Sequence, residues 1–224
     1  MPPVRLVFAD VDETLIGLKS MFDFHAHYLT ARHGEAGARR AARFWVELTA
    51  RAAAGLPREQ SNRVYYRAWA GEVEAEVAAA GRRWFAERSA VPGFYLPATR
   101  AALAAHRADG AAIALVSGSF APILDPIAED VGAAHLVCSR PEVRGGRYTG
   151  GLTGEPVIGA AKRAAVRALL GAHPDLDPAD CWAYGDHVSD LPMLAEVGRP
   201  VVVGADPELL ALLPGADRLP AGRG

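Results

Sequence analysis

Cysteine is scarce, long apolar runs are absent, and neither charge sign dominates. Two cysteines in 224 residues, Cys138 and Cys181, cannot form a disulfide framework. Each lies in an apolar run, which predicts buried free thiols. No apolar stretch approaches the ~18 residues of a membrane span. The opening MPPVRLVFADVD has acids where a secretory leader carries an apolar run, so a cytoplasmic protein is expected. Lys+Arg number 24 against 26 Asp+Glu, a net charge of −2. Such a balance draws neither nucleic acid nor an anionic membrane to the whole molecule. There is no internal repeat and no low-complexity linker, and nothing specifies an oligomeric state.

What is present is enough apolar residue for a core: 50% of the chain, with 22% charged and a mean hydropathy of +0.06. Short apolar runs recur at Val4 to Ala9, Ala111 to Val116, His135 to Cys138, Cys181 to Tyr184 and Pro200 to Val203. Most are bounded by Gly, Pro, Ser or Asp, the punctuation of buried parallel strands. Helical patterns lie between them: Pro97 to Ala108, Ala121 to Val131, Ala160 to Ala172, Leu191 to Val197 and Pro207 to Leu213. The alternation predicts an α/β fold, a Rossmann-like, mostly parallel sheet. Residues 18–91 interrupt it. They hold helical patterns at Arg39 to Ala54, Arg58 to Trp69 and Glu72 to Arg88, and no convincing strand. The segment reads as an inserted all-helical cap on a core of residues 1–17 and 92–224. From Leu18 to Ala90 there are 12 Lys+Arg and 8 Asp+Glu, net +4, which leaves −6 for the rest. A cationic lid over an acidic core and ordinary solvated helix faces both fit this division. The tail after Pro214 is rich in Gly, Pro and Ala and is expected to be loosely held.

Four short stretches carry chemistry, and three stand at a predicted strand end. Asp10, Asp12 and Thr14 form D-x-D-x-T after the first apolar run. Ser117-Gly118-Ser119 ends the second long run before a helix, where a hydroxyl and free N–H groups can hold phosphate oxygens. Lys162 sits at a helix start, where the helix dipole disfavours a cation and a nearby anion would explain it. Gly185-Asp186-His187-Val188-Ser189-Asp190 follows another strand and adds two carboxylates, oxygen ligands of the kind Mg²⁺ takes. Singly, each stretch has a competing plain account: turn and cap chemistry for the three loops and an ordinary surface residue for Lys162. Together and in this order, coincidence is a poor account. Ligands of open α/β sheets bind at these carboxyl ends.

The set DVDET, VSGS, Lys162 and GDHVSD resembles the haloacid dehalogenase-like hydrolase superfamily. The helical insertion is similar to its C1 cap, and the phosphoserine phosphatase-like branch is the nearest resemblance. This implies a Mg²⁺-dependent phosphatase acting on a small phosphorylated molecule. Asp10 would be the nucleophile that forms an aspartyl-phosphate, and Asp12 the general acid and base. The Asp10 side chain, the Asp12 backbone carbonyl and Asp186 would hold Mg²⁺. Ser117, the Gly118 N–H and Lys162 would bind phosphate, with Asp190 in support. Aspartate at both positions of the first motif favours phosphatase over dehalogenase chemistry.

The branch places a Glu, which meets the substrate ammonium, near the position held here by Lys19. A Lys there argues against phosphoserine and for an extra anionic or hydroxyl-rich group, such as a sugar or cyclitol phosphate. Lys19, Arg63 and Arg67 are the candidate contacts. A phosphotransferase or mutase on the same fold is the alternative outcome, and a non-catalytic binding or regulatory protein the alternative class. His187 reads as a loop or rim residue. His25 and His27, two apart on a helix, do not face each other. Phe22, Phe24, Phe44, Trp45, Tyr65, Tyr66 and Trp69 read as the core of the cap.

Overall fold

The computed structural model describes residues 3–222. A six-stranded sheet in the order β3-β2-β1-β6-β7-β8 forms its centre, every neighbouring pair parallel. The strands are β1 (Leu6–Ala9), β2 (Ala112–Ser117), β3 (His135–Cys138), β6 (Trp182–Gly185), β7 (Arg199–Val203) and β8 (Asp217–Leu219). A hairpin of β4 (Pro141–Arg144) and β5 (Arg147–Leu152) stands outside it. The helices are α1 (Ser20–Ala53), α2 (Arg58–Arg67), α3 (Glu74–Ser89), α4 (Pro97–Ala108), α5 (Ala121–Val131), α6 (Ala160–Gly171), α7 (Leu191–Leu194) and α8 (Pro207–Leu212). Among the described residues no helix is long and apolar enough to cross a membrane.

Strand periodicity sorts the core into two layers. Successive side chains point to opposite faces, so Val7, Ala9, Ile113 and Leu115 join one cluster and Leu6, Phe8, Ala114 and Val116 the other. The first cluster is covered by α4, α5 and the helices of the insertion, through Leu103, Ile123, Phe24, Trp69 and Trp84. The second is covered by α6, α7 and α8, through Val166, Met193, Leu194 and Leu209. A strand buried on both faces must be apolar throughout, which is why the strands read as runs rather than alternations. The chain adds strands outward from β1 on one side and from β6 on the other. The crevice between these two strands is the point where sheet order reverses.

Three details depart from the sequence-based expectation. The helix expected around His25 and His27 and the one expected from Arg39 form one element, Ser20–Ala53, with a break at Gly34 (φ +56°). The β4–β5 hairpin was not expected; it turns at Gly145-Gly146, whose positive φ values of 56° and 73° suit a two-residue turn. Residues 217–219, expected to be loose, pair with β7 as an edge strand, whereas residues 223–224 of that tail lie outside the described residues. The two thiols are free; Cys181 is buried and Cys138 half-buried. The aromatic residues of the insertion do not form a separate core. Phe24, Tyr65, Tyr66 and Trp69 all approach Phe120 of the sheet domain, with ring centroids 5.4–6.1 Å apart. His25 is enclosed by Phe44, Trp45, Tyr65 and Trp69, and burial lowers its pKa to about 4.

Helix α3 lies against α5 at one glycine. A Cβ built on Gly81 would stand 1.8 Å from the backbone oxygen of Pro122. In an exposed helix, Gly→Ala stabilises by about 1 kcal/mol. Here Gly81→Ala is expected to destabilise by about 3 kcal/mol through overpacking. Urea unfolding of the variant measures it, and a stabilised variant would contradict the contact.

Candidate active site

β1 delivers Asp10 and Asp12 to the crevice. The Asp10 N–H donates to the Tyr184 carbonyl of β6 at 3.0 Å, so the ladder continues through the first carboxylate. Glu13 then takes a left-handed conformation (φ +62°), uncommon for a residue with a side chain and costly by about 1 kcal/mol. That turn brings Thr14 to Asp186, whose Oδ1 accepts the Thr14 hydroxyl at 2.7 Å. It also leads the chain into α1, and the Ser20 N–H donates to Asp12 Oδ2 at 2.9 Å. A carboxylate facing a helix amino terminus is favourably placed.

The buried Lys162 ammonium lies between two carboxylates, 2.6 Å from Asp10 Oδ1 and 2.7 Å from Asp190 Oδ1. This accounts for a cation in the first turn of α6. Asp190 Oδ2 accepts the N–H groups of Asp186 and His187 at 3.2 and 3.1 Å, so both of its oxygens are engaged. Gly185 makes this possible, since a Cβ there would meet Asp190 Cβ at 2.6 Å. Asp190 therefore holds Lys162 and the loop. His187 closes the same loop by accepting the Ser189 N–H at 3.0 Å.

The electrostatics differ sharply between the carboxylates. Burial raises the Asp10 pKa to about 6 against the pull of Lys162, and the pair stays ionised at neutral pH. Burial raises Asp12 to about 7, and its Oδ1 has no hydrogen-bond partner. Burial, then the charges of Asp10 and Asp190, raise Asp186 to about 8. Burial alone would lower the Lys162 pKa, but the two aspartates outweigh it and raise it.

Carboxylate oxygens of Asp10, Asp186 and Asp190 lie within 4.8 Å of one another. Fully ionised, three carboxylates would face one ammonium with two negative charges in excess, and the raised pKa of Asp186 reflects burial and that excess. An oxygen-rich crevice that only an added cation would allow to ionise fully fits a hard divalent ion such as Mg²⁺. Both oxygens of Asp190 are engaged, so Asp10 and Asp186 are the side chains with an oxygen left to hold it.

These groups form the floor of a cavity of about 340 Å³. Ser117, Gly118, Lys162, Asp186 and Asp190 line it with Asp10 and Asp12. Lys19 lines it too, half-exposed and 3.4 Å from Glu13. Arg63 and Arg67 do not. The Arg63 guanidinium is drawn to Glu155 at 2.7 Å, and the Arg67 backbone packs beneath Gly150. The arginine that reaches the cavity is Arg58. Phe22, Trp45 and Tyr65, expected as cap core, also line it. Sequence patterning missed a further contact: Asn62 Nδ2 and the Tyr66 hydroxyl both donate to the Gly118 carbonyl at 2.9 Å, binding α2 to the serine-glycine loop. A larger concavity of about 810 Å³ opens at the amino ends of the strands, but it gathers surface pairs such as Arg5–Asp109 and none of the motifs.

Comparison with known proteins gives this geometry a context. A family model described as haloacid dehalogenase-like hydrolase matches residues 7–195. The chain is similar to the "probable phosphatase Rv3661" of Mycobacterium tuberculosis, 38% identical over 104 residues. That match covers 46% of this chain and 36% of the relative, so it spans about a third of the relative's length. It is also similar to phosphoserine phosphatase SerB1 of the same organism, 29% identical over 94% of this chain and 69% of that one. The crystal structure of a protein with unknown function from Bordetella pertussis Tohama I has a TM-score of 0.85 and 28% identity, covering 99% of this chain and 100% of that one.

Removing the central cation gives a direct test of the arrangement. Lys162→Met leaves the buried Asp10 and Asp190 without their cation and is expected to cost about 3–5 kcal/mol at pH 8. Without Lys162 the folded-state pKa of Asp10 rises further above its unfolded value. The folded variant then gains stability by protonation at low pH and loses it as pH climbs through that raised pKa. The deficit should therefore be smaller at pH 5 than at pH 8. Urea unfolding in Mg²⁺-free buffer at both values measures it; equal deficits would contradict the proposed burial.

Proposed function

The chain belongs to the haloacid dehalogenase-like hydrolase family, and from that premise we propose that it hydrolyses a small phosphomonoester through an aspartyl-phosphate on Asp10. The observation that carries the reading is the unlike pair at the end of β1. Asp10 is held ionised against Lys162. Asp12 stands two residues away, with one oxygen unpartnered and a pKa near neutrality. One suits a nucleophile and the other an acid and base.

In the first half-reaction an Asp10 oxygen attacks phosphorus and the bond to the leaving alcohol breaks. Asp12 gives its proton to the departing oxygen. In the second, Asp12 takes a proton from water, whose oxygen attacks the same phosphorus and frees Asp10 and inorganic phosphate. Ser117, the Gly118 N–H and Lys162 neutralise the phosphoryl oxygens as charge moves in transfer. Mg²⁺, held by Asp10, Asp186 and the Asp12 backbone carbonyl, would supply further charge neutralisation at the phosphoryl group. Asp190 keeps Lys162 in place. Residues 18–91 act as the cap that selects the leaving group.

Phosphoserine is disfavoured as the substrate. The acids lining the cavity are the motif aspartates and Glu13, and Glu13 is paired with Lys19. No free carboxylate there is available to a substrate ammonium.

Two outcomes test these statements. Asp10→Asn should abolish phosphate release across a panel of phosphomonoesters, and a chelator should abolish it in the wild type until Mg²⁺ is restored. Release by Asp10→Asn at the wild-type rate would refute the nucleophile, and phosphate delivered to an added alcohol instead of water would indicate phosphotransfer. Separately, Lys19→Glu should improve amino-bearing phosphomonoesters relative to neutral ones by about 1 kcal/mol, roughly fivefold, the scale of a half-exposed pair. Unchanged relative kcat/KM values would remove Lys19 from substrate selection.

A further inference from the structure

The loop that carries Asp186 holds a side chain that the proposed chemistry does not use. His187 lines the same cavity, together with Lys19, Arg58 and Ser189. Its backbone is extended (φ −133°, ψ 153°), and its N–H donates to Asp190 Oδ2 at 3.1 Å. Its side chain caps the short turn Val188–Asp190, with Nδ1 accepting the Ser189 N–H at 3.0 Å. The residue is therefore pinned both at its backbone and at one ring nitrogen.

That hydrogen bond assigns the ring hydrogen. A backbone N–H only donates, so Nδ1 carries no hydrogen and Nε2 carries it. Among the described residues nothing bonds Nε2, and it is not one of the enclosed polar atoms. Nε2–H is thus a donor open to solvent, on a half-buried residue of the cavity wall. Capping alone does not account for a histidine here. Asn, Asp, Ser or Thr would accept the same N–H with a shorter side chain. Imidazole caps with one nitrogen and carries a donor on its far edge.

In the proposed chemistry Asp12 serves the ester oxygen, and Ser117, Gly118 and Lys162 serve the phosphoryl oxygens. His187 is left for the rest of the substrate. Lys19 and Arg58, the exposed cations of the cavity, can only donate, as Nε2–H does. Glu13, the acid beside them, is held by Lys19 at 3.4 Å. Donors with no free acceptor among them complement an anionic oxygen group, a carboxylate or a second phosphate.

We infer that His187 is a specificity-determining residue, whose Nε2–H donates to an anionic oxygen group on the leaving-group side of the substrate. The inference rests on the phosphatase reading above. It places one contact to the leaving group on the sheet domain, where Lys19 belongs to the helical insertion.

The test uses substrates on one three-carbon chain. 3-Phosphoglycerate carries a carboxylate, glycerol 1,3-bisphosphate a second phosphate, and glycerol 1-phosphate only hydroxyls. Phenyl phosphate reports the phosphoryl chemistry alone. The better anionic substrate should exceed glycerol 1-phosphate in kcat/KM by at least about tenfold, and which of the two is better identifies the group. His187→Asn keeps an acceptor for the Ser189 N–H and removes the far donor. It should lower that ratio by about threefold or more, through KM, with thermal melting to show that it folds. In ¹⁵N-histidine-labelled protein at pH 8, His187 should appear as the Nε2–H tautomer. Glycerol 1-phosphate turned over by the wild type as well as both anionic substrates overturns the inference, whatever the variant does. So does a folded His187→Asn with the wild-type ratio, a loss shared equally by every substrate including phenyl phosphate, or an Nδ1–H tautomer. Turnover of phenyl phosphate by the wild type in those cases leaves the phosphatase reading standing. If the wild type releases phosphate from none of the four, the phosphatase reading fails and this inference with it.

Discussion

A buried ammonium between two carboxylates organises the centre of this molecule. Lys162 reaches from α6 to Asp10 after β1 and Asp190 after β6, joining three segments that are far apart in sequence. Charges this deep in a protein are tolerated only when paired and hydrogen-bonded. The rest of the site follows from meeting that condition. Asp190 takes two backbone N–H groups on its second oxygen, Gly185 makes room for it, and Thr14 supports Asp186. What the protein leaves unsettled is Asp186, whose ionisation burial and the neighbouring aspartates oppose, and the free oxygen of Asp12. These are the places where a cation and a substrate proton are accommodated in the proposed chemistry.

The sheet makes this concentration of charge possible. At the reversal between β1 and β6, the sheet grows away on both sides, and the loops that leave the two strands meet over one crevice. The apolar runs that end in Asp10 and Gly185 are buried on both faces, so the carboxylates begin where the two cores stop. The helical insertion lies over this point and shares the sheet domain's own core through Phe120. Its α3 meets α5 at Gly81, and its α2 donates two hydrogen bonds to the Gly118 carbonyl. The segment that walls the substrate cavity is thus fastened to the loop proposed to bind phosphate.

Much of this was legible in the chain. Apolar runs bounded by Gly, Ser and Asp marked five of the six sheet strands. The spacing of Asp10, Asp12, Ser117, Lys162, Asp186 and Asp190 marked the crevice. β8 escaped because a three-residue edge strand carries almost no pattern, and the continuity of α1 escaped because Gly34 and Gly37 weaken the helical signal between His27 and Arg39. The cavity walls were the least legible. Arg63 was a plausible contact on charge alone, but Glu155, 92 residues away, orients its guanidinium outward. Phe22 and Trp45 have the composition of core residues, and nothing local separates an aromatic ring in a core from one at the edge of a cavity.

By itself the sequence determined the chemistry available: which strands end in carboxylates, which helix begins with a lysine, and where a long helical segment interrupts the alternation. These are local properties, set by periodicity and by the order of residue types along the chain. Only the tertiary structure decided how those groups differ from one another. Asp10 and Asp12 are the same residue two positions apart, yet one is paired with a lysine 152 residues away and the other keeps an unpartnered oxygen. Likewise, Asn62 and Tyr66 are ordinary helix residues until α2 meets the serine-glycine loop, where both donate to the Gly118 carbonyl. Burial and pairing depend on distant parts of the chain meeting, and no local pattern specifies which ones do.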